Sequence, residues 1–216
     1  MRLGVVVLLV LGFGCASHAV PPPPPRGPAP SPSRRGSPSA AASSALDDVL
    51  QRDLAADHAF PWSAGRRLAW RDFQGPPPSE GAEGAKISYT LYSGWKCRGA
   101  VFVFRVIAGF RPRQSWVKAI VLNDSAQRRT VLGHEQTHFD LAEVHARRMR
   151  RVFGDLARPC ARTDAELGAL AQRLAQEEKA EQRRYDTETN HGLLADQQAA
   201  WTRDVNLRLD RLRTPS

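Results

Sequence analysis

The chain has 216 residues, and its 31 Lys and Arg side chains against 22 Asp and Glu give a formal net charge of +9. This length accommodates one folded domain with additional segments. The basic excess is modest and spread along predicted helices without a recognition motif, so we expect no nucleic-acid partner. Binding to an acidic surface is the remaining alternative for this charge.

Residues 1–19 have the pattern of a secretory signal peptide. Arg2 precedes an apolar run at residues 3–13, which is too short to span a bilayer, and small residues follow it. We therefore expect cleavage after Ala19 and an exported protein, either periplasmic or secreted. Two alternatives stay open: lipidation at Cys15, which would attach the protein to a membrane of the cell envelope, and an uncleaved membrane anchor.

Residues 20–45 consist mostly of Pro, Ala, Ser, Arg and Gly, and residues 21–25 are all proline. Such a composition cannot bury a hydrophobic core and favours extended polyproline II conformations. We expect a disordered linker here, and we place the folded domain at residues 46–216.

The first half of this domain has the patterns of a short helix and several strands. Apolar residues at helical spacing predict a helix over residues 46–57. Alternating β-branched and aromatic residues predict strands over residues 67–73, 86–95 and 100–110. Residues 116–122 are either a further strand or a short run into the next helix.

Three long helices are predicted in the second half. They cover residues from about 125 or 129 to 153, from a capping box at Thr163 and Glu166 to about 185, and from about 193 to 212. Strands followed by helices indicate an α+β fold, here with a small antiparallel sheet of three or four strands.

The first long helix contains His134-Glu135-Gln136-Thr137-His138, an H-E-x-x-H motif. Two histidines four residues apart share one helix face, so both imidazoles can reach one Zn²⁺ at about 2.1 Å. Glu135 can then act as a general base toward a water molecule at the open coordination position. The alternative is a solvated or buried histidine pair without a metal.

A catalytic zinc site needs a third protein ligand, and His145 does not fit. It lies about 10 Å further along an unbroken helix than His138. We favour His191, which lies in a polar break beside a glycine, with Glu188 and His58 as alternatives.

Two further side chains are candidates for supporting roles at this site. Tyr185 is a candidate donor to a developing oxyanion. Asp140 would either accept the ring N–H of a ligand histidine or cap a neighbouring loop.

The cysteines predict one disulfide. Cys15 lies in the signal region, which leaves Cys97 and Cys160 in the exported part. A leftover pair in an exported protein usually forms a disulfide, so we expect a Cys97–Cys160 bridge.

Four strings in this chain resemble the bacterial proteins known as predicted secreted zinc-dependent proteases, a family long described as a domain of unknown function. They are LAWRDFQG at 68–75, SWV at 115–117, HEQTHFDLAEVHARR at 134–148 and RYDTETNHG at 184–192. The resemblance extends over residues 60–209, and His145 departs from it, because we expect an aromatic residue there.

The resemblance implies a zinc peptidase of zincin-like type, with His134 and His138 as ligands and Glu135 as the base. It implies His191 as the remaining ligand. It also implies site roles outside the ligand set for four further residues of the matching strings, namely Asp140, Tyr185, Asp186 and Thr189.

We therefore predict an exported zinc metallopeptidase that acts on a protein or peptide substrate. By analogy with other zincins, a strand edge between residues 86 and 122 would pair with an extended substrate. Two alternatives are a zinc-binding envelope protein without catalytic turnover and a zinc hydrolase of a non-peptide substrate. Residue patterns alone define neither the cleavage preference nor the oligomeric state.

Overall fold

The structure is a computed structural model that describes residues 38–213. The predicted signal peptide, Cys15 and residues 20–37 of the predicted linker lie outside the described residues. Within residues 38–213 the helices are α1 (Pro38–Ala56), α2 (Ala119–Asn123), α3 (Ser125–Gly154), α4 (Asp164–Thr189) and α5 (Ala195–Arg211). The strands there are β1 (Phe60–Pro61), β2 (Ala85–Lys86), β3 (Tyr89–Arg98), β4 (Val101–Phe110) and β5 (Trp116–Val117).

The fold is α+β, as the order of strands and helices predicted. A three-stranded antiparallel sheet has the order β1-β4-β3, and β2 pairs with β5 in a separate two-stranded sheet. Strands β3 and β4 form a hairpin whose register ends at the pair Arg98 and Val101. The two-residue turn between them contains Gly99 with a positive φ of 60°, a conformation that glycine adopts without strain.

Two predicted elements differ from the structure. The predicted strand over residues 67–73 is wrong: a 3₁₀ turn, Trp70–Asp72, occupies this segment. Asp72 closes that turn by accepting a hydrogen bond from the backbone N–H of Ala69, and the N–H of Leu68 donates to the Gln136 side chain rather than to a strand. Helix α1 begins at Pro38 and includes residues 38–45, which were predicted as linker; three consecutive alanines favour this extension.

Helices α1 and α3 cover opposite faces of the sheet. Successive side chains of a strand point to opposite faces, and β4 divides accordingly. Val103 and Ile107 pack with leucines of α1, whereas Phe104 and Phe110 belong to the core cluster that contains Phe139 of α3. Helix α3 is thereby fixed against the sheet along its buried middle.

The other side of α3 packs against α4 and α5. Leu141 and Val144 of α3 form a second apolar cluster with residues of the last two helices, Tyr185, Trp201, Val205 and Leu209. Helix α3 is therefore enclosed between the sheet and a pair of helices. No helix within residues 38–213 is both long and apolar enough to cross a bilayer.

A disulfide joins Cys97 of β3 to Cys160, which lies in a 3₁₀ turn between α3 and α4. The two Cα atoms are 5.7 Å apart. This is the pair that the cysteine count predicted, and it ties the β3–β4 hairpin to the connection that follows α3.

Candidate metal centre

The H-E-x-x-H motif lies in the buried middle of helix α3. Asp124 caps the helix N-terminus, where its side chain accepts hydrogen bonds from the backbone N–H groups of Ala126 and Gln127. Ten residues further on, every side chain at positions 134–146 is buried. A helix that is buried on all sides must pack against other elements on every side, and here these elements are the sheet, α4 and α5.

Three ligand atoms converge at this point: Nε2 of His134, Nε2 of His138 and Oδ1 of Asp186. The two nitrogens are 3.1 Å apart, and the carboxylate oxygen lies 3.2 Å from His134 and 2.9 Å from His138. Ligands bound tetrahedrally at about 2.1 Å are about 3.4 Å from one another. The three atoms are therefore already close to the spacing of a coordination triangle, and the group could hold a metal ion.

Glutamine side chains orient both imidazoles. Nδ1 of His134 is 3.0 Å from Oε1 of Gln198, and Nδ1 of His138 is 2.6 Å from Oε1 of Gln182. An amide oxygen only accepts hydrogen bonds, so each Nδ1 carries the proton. In the neutral rings each Nε2 then has a free lone pair, which is the state that a metal requires.

Asp186 occupies the place that the sequence analysis gave to His191. Asp186 was predicted to lie outside the ligand set, but the structure brings its Oδ1 between the two histidines. Burial acts to raise the pKa of its carboxyl group. Hydrogen bonds from His134 and His138, which donate through Nε2 when their rings are protonated, outweigh burial and hold the pKa well below its usual range. The carboxylate is thus anionic at neutral pH and could serve as a metal ligand.

His191 lies beside the triad rather than within it. Its Nδ1 is 3.8 Å from Oδ1 of Asp186, and its side chain is 69% exposed. The two alternative ligands are also outside the group: the Glu188 carboxylate accepts a hydrogen bond from Trp201 at 2.8 Å, and His58 is exposed after α1.

The turn that carries His191 has an unusual backbone. Three consecutive residues, Asn190, His191 and Gly192, have positive φ values of 48°, 54° and 83°. Thr189, predicted as a supporting residue, holds this turn: its hydroxyl accepts from the N–H of Gly192 and donates to the carbonyl of Tyr185. A non-glycine residue in this conformation is strained by about 1–3 kcal/mol, and such strain concentrates at functional sites.

Glu135 lies next to the triad and is buried. Its Oε2 accepts a hydrogen bond of 2.9 Å from the backbone N–H of Ile87, in the short connection between β2 and β3. Burial raises the pKa of this carboxyl group, and the neighbouring histidines partly oppose that effect. The connection between β2 and β3 thus fixes one oxygen of the predicted general base.

Tyr185 supports the histidines from within the core. Its hydroxyl donates to Oε1 of Gln198 at 2.7 Å, the carbonyl of His134 lies 3.2 Å from the same hydroxyl as a second acceptor, and the ring stacks on the imidazole of His134. The side chain is completely buried, and burial raises the pKa of the hydroxyl group. The predicted role as an oxyanion donor therefore has no support from its position, since the hydroxyl is engaged inside the protein.

Asp140 caps a neighbouring segment, which is the second of its two predicted roles. Its carboxylate accepts from Nε1 of Trp62 at 2.8 Å, from Arg67 at 3.1 Å and from Gln136 at 2.7 Å. His145 pairs with Glu181 at 2.7 Å, away from the triad, in agreement with the helix geometry that excluded it as a ligand.

Sequence reasoning missed the glutamines that orient the histidines and the place of Asp186 in the triad. A signal for the α4 residues was present. Four polar or amphipathic side chains recur at helical spacing in the second half of α4 and are all buried: Glu178, Gln182, Tyr185 and Thr189. Polar residues that recur at helical spacing on the core-facing side of a helix indicate a buried polar site. Polar residues on the solvent-exposed side need not recur at that spacing.

Part of the chain is similar to a described family. Residues 112–192 match the family model described as "Bacterial protein of unknown function (DUF922)". The matched segment contains the H-E-x-x-H motif, Asp186 and His191, and it ends before Gln198. No curated protein and no solved structure matches the chain.

Proposed function

We propose that this protein is an exported zinc-dependent metallopeptidase. The observation that carries the proposal is the convergence of His134, His138 and Asp186 beside a buried glutamate, Glu135. Two imidazoles and one carboxylate form a donor set that suits zinc, and a site with only three protein ligands leaves a coordination position for water or substrate.

The residues present fit a metal without rearrangement. Both Nε2 atoms and Oδ1 already face one another, and the two Nδ1 protons are held by Gln182 and Gln198. A bound zinc ion would act as a Lewis acid, lowering the pKa of a coordinated water and polarising a carbonyl oxygen.

The chain itself would supply proton transfer and positioning. Glu135 is the general base, because it follows His134 directly and its carboxylate is held beside the triad by Ile87. The His191 side chain lies beside the triad and is largely exposed to solvent. It is therefore placed to contact a substrate that approaches the triad. Tyr185 and the two glutamines keep the histidines oriented.

The position of strand β3 favours a peptide substrate. Within residues 38–213, β3 is an edge strand of the three-stranded sheet. Its first residue follows the Ile87 connection closely, so the strand begins near Glu135. An extended peptide can add to such an edge through main-chain hydrogen bonds and so reach the triad.

The disulfide supports export. Disulfides persist in oxidising compartments and are rare in the cytosol, so a Cys97–Cys160 bridge fits a periplasmic or secreted protein. The expected signal peptide at residues 1–19 points the same way.

The test is Glu135→Gln, with Glu80→Gln in an exposed loop as the matched control. The purified wild type and both variants are assayed for zinc content and for cleavage of a mixed peptide library. We expect one zinc per chain in all three and a loss of peptide cleavage of about 10²-fold or more in Glu135→Gln alone.

The other outcomes separate the alternatives. Bound zinc without hydrolysis of any peptide by the wild type would indicate a zinc-binding envelope protein. Hydrolysis of ester or amide probes but not of peptides would indicate a hydrolase of another substrate class. A wild type that binds no zinc after supplementation would refute the enzyme proposal.

A further inference from the structure

A chain of buried hydrogen bonds connects the start of strand β3 to the ligand His138. The hydroxyl of Tyr89 donates to Oε1 of Glu178 at 2.5 Å, and Nε2 of Gln182 donates to the same oxygen at 2.9 Å. Oε1 of Gln182 is 2.6 Å from Nδ1 of His138. Glu178 and Gln182 are 4% and 7% exposed, so water does not replace these contacts.

The carboxylate of Glu178 is unusual because it is buried among neutral donors. Tyrosine and glutamine carry no charge, and an ionised carboxylate in an apolar region is costly unless its oxygens are satisfied. Residues that break the apolar pattern of a core in this way concentrate at functional sites. Burial and the adjacent Glu178 raise the pKa of Tyr89, so its hydroxyl stays protonated and remains a donor.

The orientation of the Gln182 amide follows from the chemistry of its neighbours. A carboxylate only accepts hydrogen bonds, so the NH₂ end of the amide must face Glu178, and the oxygen end then faces His138. The second amide hydrogen donates to the backbone carbonyl of His138 at 3.1 Å. A reversed amide would place its oxygen against the carboxylate and its NH₂ against the ring nitrogen of His138.

We infer that Glu178 is a positioning residue of the metal centre, which sets the tautomer of His138 through Gln182. The inference rests on the metal site of the proposed function. With the amide fixed, Nδ1 of His138 carries the proton and Nε2 presents its lone pair to the metal. The amide in between distinguishes this arrangement from a direct carboxylate–histidine contact, in which the carboxylate touches the ring itself.

The anchor at Tyr89 links this arrangement to the sheet. Tyr89 is the first residue of β3, and the Glu135 contact at Ile87 lies two positions earlier. The same short segment therefore fixes the general base through its backbone and a ligand histidine through a side chain. A peptide bound along β3 would therefore contact the segment that positions both Glu135 and His138.

The test is Glu178→Gln, with Glu177→Gln as the matched control. The Glu178→Gln change keeps the shape of the side chain, removes its charge and allows it to donate to Oε1 of Gln182, so it permits the reversed amide. Glu177 is the neighbouring residue, and its exposed carboxylate pairs with Arg148. We expect zinc affinity to fall about 10–100-fold in Glu178→Gln and to be unchanged in Glu177→Gln.

A second measurement reads the tautomer itself and does not depend on the variant folding. ¹⁵N-labelled histidine spectra of the metal-free wild type, recorded at a pH at which the ring is neutral, should show His138 protonated at Nδ1, although Oδ1 of Asp186 lies 2.9 Å from Nε2 and competes for the proton. His138→Ala is used to assign the signal. In folded Glu178→Gln the signal should move toward the Nε2-protonated form. Circular dichroism and thermal unfolding establish whether the variant is folded.

The outcomes are distinct for the two proposals. A wild-type His138 protonated at Nε2, or a folded Glu178→Gln with wild-type zinc affinity and tautomer, would overturn the role of Glu178 and leave the zinc site intact. A wild type that binds no zinc would refute the proposed function, while the tautomer measurement would still decide what Glu178 does.

Discussion

Oδ1 of Asp186 lies 2.9 Å from Nε2 of His138, although the first residue belongs to helix α4 and the second to helix α3. The triad therefore exists only when the two helices are packed together. A metal bound there would cross-link α3 and α4 in the folded state and would have no equivalent site in the unfolded chain, so metal binding and stability are coupled.

The identity of the third ligand is tested by Asp186→Asn and His191→Ala. The Asp186→Asn change keeps the shape of the side chain but removes its charge, so we expect zinc affinity to fall by at least about tenfold, whereas His191→Ala should retain one zinc per chain. Zinc titration against a chelating competitor measures both. The opposite ranking, with zinc lost only from His191→Ala, would assign the ligand role to His191 as the sequence analysis predicted.

Gly192→Ala should weaken both the fold and the metal site. A Cβ at Gly192 would lie 3.1 Å from three atoms of His134, and φ there is +83°. Gly99→Ala is the control, since Gly99 has φ of +60° in the β3–β4 turn and nothing within 4 Å of an added Cβ. We expect each variant to lose about 1 kcal/mol from backbone strain, measured by urea unfolding. Only Gly192→Ala should also lose zinc affinity, and equal zinc binding by both variants would contradict this.

The pH dependence of stability should contain a contribution from Glu181. Burial acts to raise its pKa, but hydrogen bonds from His145 and Arg208, with the charge of Arg208, outweigh it and lower the pKa to about 2. An unfolded glutamate has a pKa of about 4.3. The stabilisation is thus complete above about pH 5 and is lost as the pH falls toward 2.

Glu181→Gln removes this contribution. At pH 7 we expect the variant to be less stable by about 1–3 kcal/mol, because Arg208 and His145 lose the anionic partner of their hydrogen bonds. The difference in the free energy of unfolding between the wild type and Glu181→Gln should shrink as the pH is lowered from 5 to 2. Urea unfolding with chelator present, across this pH range, measures it; a difference that stays constant would contradict the assignment.

Loss of the disulfide should destabilise the domain without removing any residue of the triad. The bridge closes a loop with a sequence separation of 63 residues, for which chain entropy predicts a loss of about 4 kcal/mol. Urea unfolding of the oxidised protein and of Cys97→Ala/Cys160→Ala gives the difference. Equal stability of the two proteins would show that the bridge constrains the unfolded chain less than this loop length implies.

The elements with strong local signals were predicted well. The capping box at Thr163 and Glu166 begins α4, and the alternating pattern of residues 100–110 forms strand β4. His134 and His138 were predicted to share a face because four residues make about one helical turn, and their Nε2 atoms do meet. These features depend on residues near one another in the sequence.

The errors occurred where a side chain far along the chain decided the outcome. Residues 67–73 alternate as a strand does, but the backbone N–H of Ala69 donates to Asp72 within the segment, and that of Leu68 donates to Gln136, far along the chain. Tyr185 was a candidate donor to an oxyanion, and packing against Trp201 and His134 buries its ring. Neither contact can be read from local periodicity.

By itself, the sequence determined a helix with two histidines on one face, a glutamate beside them, a hairpin, and two cysteines available to pair. Only the tertiary structure decided that Asp186 completes the triad and His191 stands beside it. The physical reason is the way α4 packs against α3. Successive residues of a helix point about 100° apart, so only one side of α4 faces the histidines, and the packing of the two helices puts Asp186 on that side.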